Sequence, residues 1–350
     1  MPARLPSPPV AGRRSAARLA ALAVTVALLA GACAVPTATS TASPAPTSTP
    51  AVNPYDASGA AAGTGSGRKI GYLSYGDLVP FVKSVSDGIA EQAEAAGAKL
   101  VTCDAQLDPG KVRPCLEQLS GAGVQGVILF QLLIDGAEAC KALPANLPVI
   151  AIEYEHPCQK AYVGADDVAG GEIAGKAVGA FAMSQWDCVY DALVTLGSKE
   201  APDRADKRLV GFRRGFATGC ELRNEQYQQV ADREDNARAA VAGVLGSLPS
   251  AKRLLVAGIN DDGILGALTA ATAAGRGADV FVAGQGGDPR VRDLIRAGGQ
   301  YVGDAAYRPE RYGRTAVAAL LDAIAGKTVS GPFMLAPVWL DAKTIGTIYP

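Results

Sequence analysis

The sequence predicts an α/β fold of two lobes, each built on a parallel sheet. Three observations carry the prediction. From Lys69 onward, short apolar runs alternate with segments of helical spacing, a rhythm that implies parallel strands covered by helices on both faces. These units are too numerous for one modest sheet. The chain, 350 residues of which 49% are hydrophobic, is also long enough to bury two cores. Its formal net charge of -1 gives no reason to expect nucleic acid or an anionic membrane surface as the main partner.

The first residues read as an export signal. Arg4, Arg13, Arg14 and Arg18 precede an uncharged apolar stretch from Leu19 to about Ala30, followed by small residues up to Cys33. The apolar run is shorter than the about 20 residues that a bilayer span needs. The paired Arg13-Arg14 lacks the apolar residues that twin-arginine export expects just downstream. "LLAGAC" (28–33) resembles the lipobox of bacterial lipoproteins, although Ala30 stands where leucine is commonest. The resemblance implies that Cys33 is diacylated and becomes the new N-terminus after a signal peptide of residues 1–32 is removed. Ordinary cleavage near "GACA" stays open as the alternative. Residues 34–67 are rich in Ala, Thr, Ser and Pro and nearly free of charge, so they cannot offset the entropy of ordering. Residues 33–68 are therefore expected to form a lipid-anchored flexible spacer, which tethers a domain to a membrane without spanning it.

Six further cysteines, Cys103, Cys115, Cys140, Cys158, Cys188 and Cys220, suggest disulfides in an exported domain. Six cysteines allow about 15 pairings. Sequential bridges are favoured, because 103 with 115, 140 with 158 and 188 with 220 would each join a strand or its exit loop to a neighbouring helix. No pair has C-x-x-C spacing, and no metal-ligand cluster is evident.

The expected strands are "KIGYLSY" (69–75), "KLVTCD" (99–104), "GVILFQ" (126–131), "PVIAIEY" (148–154), "DALVTLGS" (191–198), "RLLVAGIN" (253–260), "DVFVAGQG" (279–286) and "QYVGDAAY" (300–307). Helical patterns lie between them. Val82, Val85, Ile89, Ala93 and Ala96, for instance, fall on one apolar stripe. In open parallel sheets ligands sit outside the carboxyl ends of strands, so the polar residues that end these runs are the first site candidates. In "NDD" (260–262) the two aspartates suit capping of a helix that begins near Gly263. Asn260, the last strand residue, offers both donor and acceptor to a neutral polyol.

Five segments occur in a familiar order: "VGADDVAGGEIAGKAV" (163–178), "RLVGF" (208–212), "NDDGILGALTAATAAGR" (260–276), "VAGQGGDP" (282–289) and "YRPERYG" (307–313). With them, the chain from about Lys69 to beyond Tyr312 resembles the periplasmic sugar-binding proteins of the ribose-binding type, the type I solute-binding proteins of ABC importers. The resemblance implies two similar doubly wound parallel-sheet lobes joined by a three-stranded hinge, with a ligand cleft between them. It implies a first lobe of 69–164 plus 308–330 and a second of 165–307 plus 331–350.

It also implies cleft residues. The loop after the first strand brings Tyr75, Asp77 and Phe81, the last as an aromatic face for a sugar ring. Gln131 ends the third strand. Glu153 and Tyr154 stand where ribose binders have an Asp-Arg pair, so the carboxylate is kept and the guanidinium is lost. Asn260 matches the family's asparagine. Gln285 opens a Gln-Gly pair in place of Phe-Asp, and Tyr307 replaces a hinge-proximal glutamine. Asp206 aligns loosely with a ligand-binding arginine, whereas Arg208 and Gly211 are expected to set helix packing.

Chemistry finds little support. His156 is the one histidine, no G-x-S-x-G precedes it, and "GTGSG" (63–67) lacks the lysine of a phosphate loop. The expected function is therefore capture, not catalysis: a monomeric extracytoplasmic lipoprotein that closes on a sugar or similar small polar molecule and delivers it to an ABC permease, with no cofactor or metal. A tethered receptor for a signalling protein is the alternative, and an exported glycoside hydrolase using Glu153 and Asp77 is the remote one.

Overall fold

The computed structural model describes residues 53–350. The signal segment and Cys33 lie outside the described residues. In chain order come β1 (Lys69–Ser74), α1 (Pro80–Ala96), β2 (Lys99–Asp104), α2 (Pro109–Gly121), β3 (Val127–Phe130), α3 (Gly136–Lys141), β4 (Val149–Ile152) and β5 (Ala161–Ala165). A second run holds α4 (Asp167–Trp186), β6 (Ala192–Leu196), α5 (Pro202–Phe216), β7 (Glu225–Gln228), α6 (Glu234–Ser247), β8 (Leu254–Gly258), α7 (Asp261–Ala273), β9 (Val280–Gly286), α8 (Pro289–Ala297) and β10 (Tyr301–Ala306). The chain closes with α9 (Tyr312–Ile324), β11 (Phe333–Leu335), β12 (Val338–Leu340) and α10 (Ile345–Ile348).

Within the described residues these strands form two six-stranded sheets, ordered β11-β5-β4-β3-β1-β2 and β12-β10-β9-β8-β6-β7. All pairings are parallel except that of β10 with β12. Helices cover both faces of each sheet, which is why β3, β4, β6 and β8 are buried at every position. α1 buries Val82, Val85, Ile89, Ala93 and Ala96, the stripe its spacing predicts, and shares a core with α9.

The chain passes between the sheets three times, after β5, after β10 and between β11 and β12. The last crossing differs from the expectation. Phe333–Leu335 pairs with β5 in the first sheet, so the tail joins the second lobe only after Leu335 and not from residue 331. Three-residue strands carry too little period-2 pattern to be seen in the sequence.

The spacer also ends earlier than expected. Residues 53–68 fold onto the first lobe: the Tyr55 ring meets Phe333 edge-on with centroids 5.1 Å apart, and its hydroxyl donates to Asp322 at 3.2 Å. Asn53 donates to Thr315 at 3.0 Å, and Arg311 pairs with Asp56 at 3.0 Å. An aromatic and a charge with buried partners supply what the Ser/Thr/Pro tract before them lacks.

Cys103–Cys115, Cys140–Cys158 and Cys188–Cys220 are bonded, with Cα separations of 5.5, 5.7 and 5.5 Å. The first ties β2 to α2, the second ties α3 to the loop after β4, and the third joins the ends of α4 and α5. α4 and α5 approach closely because Gly171 and Gly175 face Gly211 and Gly215, where any Cβ would press on the opposite backbone. Gly211 therefore serves helix packing.

Candidate functional site

The carboxyl ends of strands from both sheets face one another across a cavity of about 430 Å³. Tyr75 and Phe81 follow β1, Leu107 follows β2, Leu132 and Leu133 follow β3, and Glu153 and Tyr154 follow β4. Opposite them stand Ser198 after β6, Arg204 and Arg208 on α5, Asn260 after β8, Gln285 in β9 and Tyr307 after β10. Of the nine predicted contact residues the structure brings seven to this cavity: Tyr75, Phe81, Glu153, Tyr154, Asn260, Gln285 and Tyr307.

Asp77 and Gln131 are not among the lining residues. The Asp77 carboxylate accepts from Ser74 at 2.5 Å and Ser86 at 2.6 Å, which pins the loop after β1. Gln131 is fully buried, and its amide accepts from the Ile134 backbone N–H at 3.2 Å and donates to the Ile134 carbonyl at 3.3 Å. Both polar side chains stabilise the turns that aim their apolar neighbours at the cleft.

Glu153 is a junction, not a free acceptor. Its carboxylate accepts from the Ala165 N–H at 3.0 Å, from the Tyr312 hydroxyl and from Arg204. Those partners belong to the first crossing, the second crossing and the second lobe, so one side chain from β4 binds the hinge together. Its backbone has φ of 61°, a left-handed conformation that a non-glycine residue keeps only where its surroundings hold it. The Arg204 guanidinium also lies 5.0 Å from the Tyr154 ring centroid. Burial and the neighbouring Arg208 lower the Arg204 pKa to about 10, which leaves it charged at neutral pH. A second cavity of about 640 Å³ shares Glu153, Tyr154 and Arg204, so this ion pair forms a common wall.

Sequence reasoning missed Arg204. It sits four residues before Arg208 on α5, a spacing that puts both guanidiniums on one helix face. Asp206, at the midpoint between them, is exposed and is not among the lining residues. Arg208 donates to Asp167 at 2.7 Å and to the Ile259 carbonyl at 2.6 Å, and lies 4.3 Å from the Tyr307 ring centroid. Burial disfavours its charge, but Tyr307 and Asp167 outweigh that and raise its pKa. Tyr307 in turn donates to Gln285 at 2.9 Å, and Gln285 donates to the Gly258 carbonyl at 3.3 Å.

In "NDD" the structure gives the capping role to Asn260 rather than to the two aspartates. Asn260 is the N-cap of α7: its side-chain oxygen accepts from the Gly263 N–H at 3.0 Å, and its nitrogen donates to the Asp232 carbonyl at 2.7 Å. Asp261 is buried and turns toward β9 and β10, where it accepts from the Asp288 N–H at 2.9 Å and the Tyr301 hydroxyl at 3.3 Å. Asp262 pairs with Arg290. An asparagine in extended backbone satisfies the first-turn N–H as well as an aspartate would, so sequence alone did not separate cap from contact.

Beside Asp261 lies Asp304, fully buried, with one carboxylate oxygen lacking any partner among the described residues. Burial raises the pKa of both, and the neighbouring Asp261 adds to the rise at Asp304, so the pair holds a proton above the ordinary aspartate range. His156 is buried in the loop after β4, where burial lowers its pKa against the smaller opposing pull of the Gln131 backbone and Asp135. Such an imidazole stays neutral and serves packing.

Three comparisons agree with this architecture. The model of the periplasmic binding protein domain family matches residues 70–328. The chain is 26% identical over 271 residues to the ribose import binding protein of Salmonella typhimurium, covering 76% of this chain and 86% of that protein. Among solved structures, an ABC transporter periplasmic solute binding protein of Actinobacillus succinogenes with bound D-allose superposes with a TM-score of 0.69 at 19% identity, over 80% of this chain and 99% of the other. The Caulobacter myo-inositol binding protein gives 0.64 at 23% identity, over 81% and 96%.

Proposed function

The chain belongs to the periplasmic binding protein family, and on that premise we propose that it captures a sugar or a similar neutral polar solute in the cleft and hands it to an ABC importer. Members of this family bind solutes outside the cytoplasm and do not transform them, so the protein is a binding protein and not an enzyme. One observation supports the ligand class most directly. Strand ends of two separate sheets converge on one cavity that offers both ring faces, from Tyr75, Phe81 and Tyr154, and polar oxygens, from Ser198, Asp232 and Asp262. A polyol ring needs both: C–H faces stack on aromatics, while hydroxyls need hydrogen-bond partners once they leave water.

Capture then works by closure about the three crossings. A ligand that touches both lobes favours the arrangement in which both sets of contacts are made. A thermal-shift screen over pentoses, hexoses and cyclitols tests the reading, because a solute bound only by the folded chain raises its melting temperature. At about 100 times Kd the stabilisation is about 2.7 kcal/mol. No shift across the panel would contradict sugar capture.

The same proposal includes an anchor. Cys33 carries diacylglycerol, and the segment up to about residue 52 tethers the binding domain to the extracytoplasmic face of the cell membrane, where it acts as a monomer. Replacing Cys33 with serine is expected to move the protein from the membrane fraction to the medium or periplasm, and retention in the membrane would rule out lipid attachment at Cys33.

A further inference from the structure

The two walls of the cleft differ in chemistry. The first lobe presents Val79, Phe81, Leu107, Phe130, Leu132 and Leu133. Its polar side chains are committed elsewhere: Asp77 to two serines, Gln131 to its own turn, Glu153 to the hinge. The hydroxyls of Tyr75 and Tyr154, which make no hydrogen bond among the described residues, are what remains for a ligand on that side. The second lobe lines the cleft with Ser198, Glu200, Arg204, Asp232, Asn260 and Asp262, which also have partners within the protein, Ser198 with Asp232 and Asp262 with Arg290 among them, but whose carboxylate and hydroxyl oxygens can accept further hydrogen bonds where the first lobe's leucines accept none.

Leu107 makes the asymmetry pointed. It is 44% exposed at the cleft, and its backbone sits in the left-handed region at φ of 61°, which a leucine occupies only at a cost. Leu78, in the loop after β1, is 76% exposed. Two leucines thus stand open to solvent on loops that follow adjacent strand ends. A free pentose or hexose carries hydroxyls around its whole ring. Against this wall, those on one side would leave water with only the Tyr75 and Tyr154 hydroxyls as partners.

Resting on the sugar-capture reading, we infer that the preferred ligand is a glycoside with a flat apolar aglycone, either an aryl glycoside or a nucleoside. The aglycone lies on the Leu107–Leu133 wall, and the hydroxylated ring faces the second lobe. Loss of water from both the aglycone and the leucines adds affinity that a bare sugar cannot obtain.

Calorimetric titration of the whole folded chain tests this with two matched pairs, D-glucose against phenyl β-D-glucopyranoside and D-ribose against adenosine. In at least one pair the glycoside is expected to bind ten-fold or more tighter than its parent sugar, and which pair responds tells the aryl source from the nucleoside. Leu107→Asn, a substitution that suits the left-handed backbone, is expected to reduce that preference, the ratio of glycoside to parent-sugar affinity, about ten-fold. Parent sugars binding as tightly as both glycosides would overturn the inference and leave sugar capture standing. An unchanged preference in Leu107→Asn would overturn the placement of the aglycone. If neither sugars nor glycosides bind, sugar capture fails and the inference with it.

Discussion

Two buried clusters of charge border the cleft, and they are built on opposite principles. At the hinge, Glu153 meets Arg204 across the boundary between lobes, and Arg208, one turn further along α5, pairs with Asp167 at the start of α4 on the second-lobe side. Beneath the second lobe's wall, Asp261 and Asp304 face each other and Tyr301, with no cation among the groups that shift their pKa. The first arrangement balances charge and holds several chain segments in one place. The second avoids charge by keeping a proton. A hinge must be tied without being fused, and ion pairs with hydrogen bonds do that directionally. A lobe that moves as a body needs only a satisfied interior.

The largest expected effect separates the two at once. Arg208→Ala leaves Asp167 and the Ile259 carbonyl buried without their donor, and breaking a buried pair from one side costs about 3–5 kcal/mol, readable by denaturant unfolding. If the loss is under about 1 kcal/mol, the hinge cluster is not a stability element. Glu153→Gln keeps the shape of the junction but removes the charge opposite Arg204, for an expected loss of about 2 kcal/mol. A change in ligand affinity with unchanged stability would instead make Glu153 a ligand contact.

Asn260→Ala sharpens the comparison at the second wall. Removing an N-cap side chain is expected to cost about 1 kcal/mol of stability, against no change if the side chain only faces solvent.

Asp304→Asn is the smallest effect at neutral pH and the most diagnostic across pH. The Asp261–Asp304 pair holds a proton in the folded chain above the pH near 4 at which an unfolded aspartate releases it. The folded state therefore binds more protons than the unfolded state over that window, so their contribution to stability is greatest at the acid end and falls as pH rises through the raised values. The amide introduced by this substitution can donate to Asp261 without titrating. The variant is expected to be as stable as the parent or more so at pH 7, with a flatter pH profile above about pH 4. A loss of several kcal/mol at pH 7 would show that the proton is not shared as described.

Much of this was legible in the sequence. All eight expected strands form, because each is an apolar run long enough to show its pattern. The four that escaped have physical reasons. β7 is "EQYQ", an edge strand with no buried residue. β5 is made mostly of small residues, and β11 and β12 have three residues each. At the site, strand ends told which backbone positions reach the cleft, but not which way their side chains turn. Gln131 and Asp77 satisfy their own loops, and Glu153 satisfies the hinge, because a polar group next to unpaired backbone or a buried guanidinium is taken up locally before any ligand arrives. Arg204 stayed hidden because a helix face, unlike a strand end, announces no site.

The most direct test of the central claim is a calorimetric titration of the folded chain with D-allose, D-ribose and myo-inositol, followed by recovery of the solute. Saturable one-to-one binding of at least one of them, with the solute returned unchanged, is the expected result. Absence of binding by all three, or a solute returned chemically altered, would contradict it.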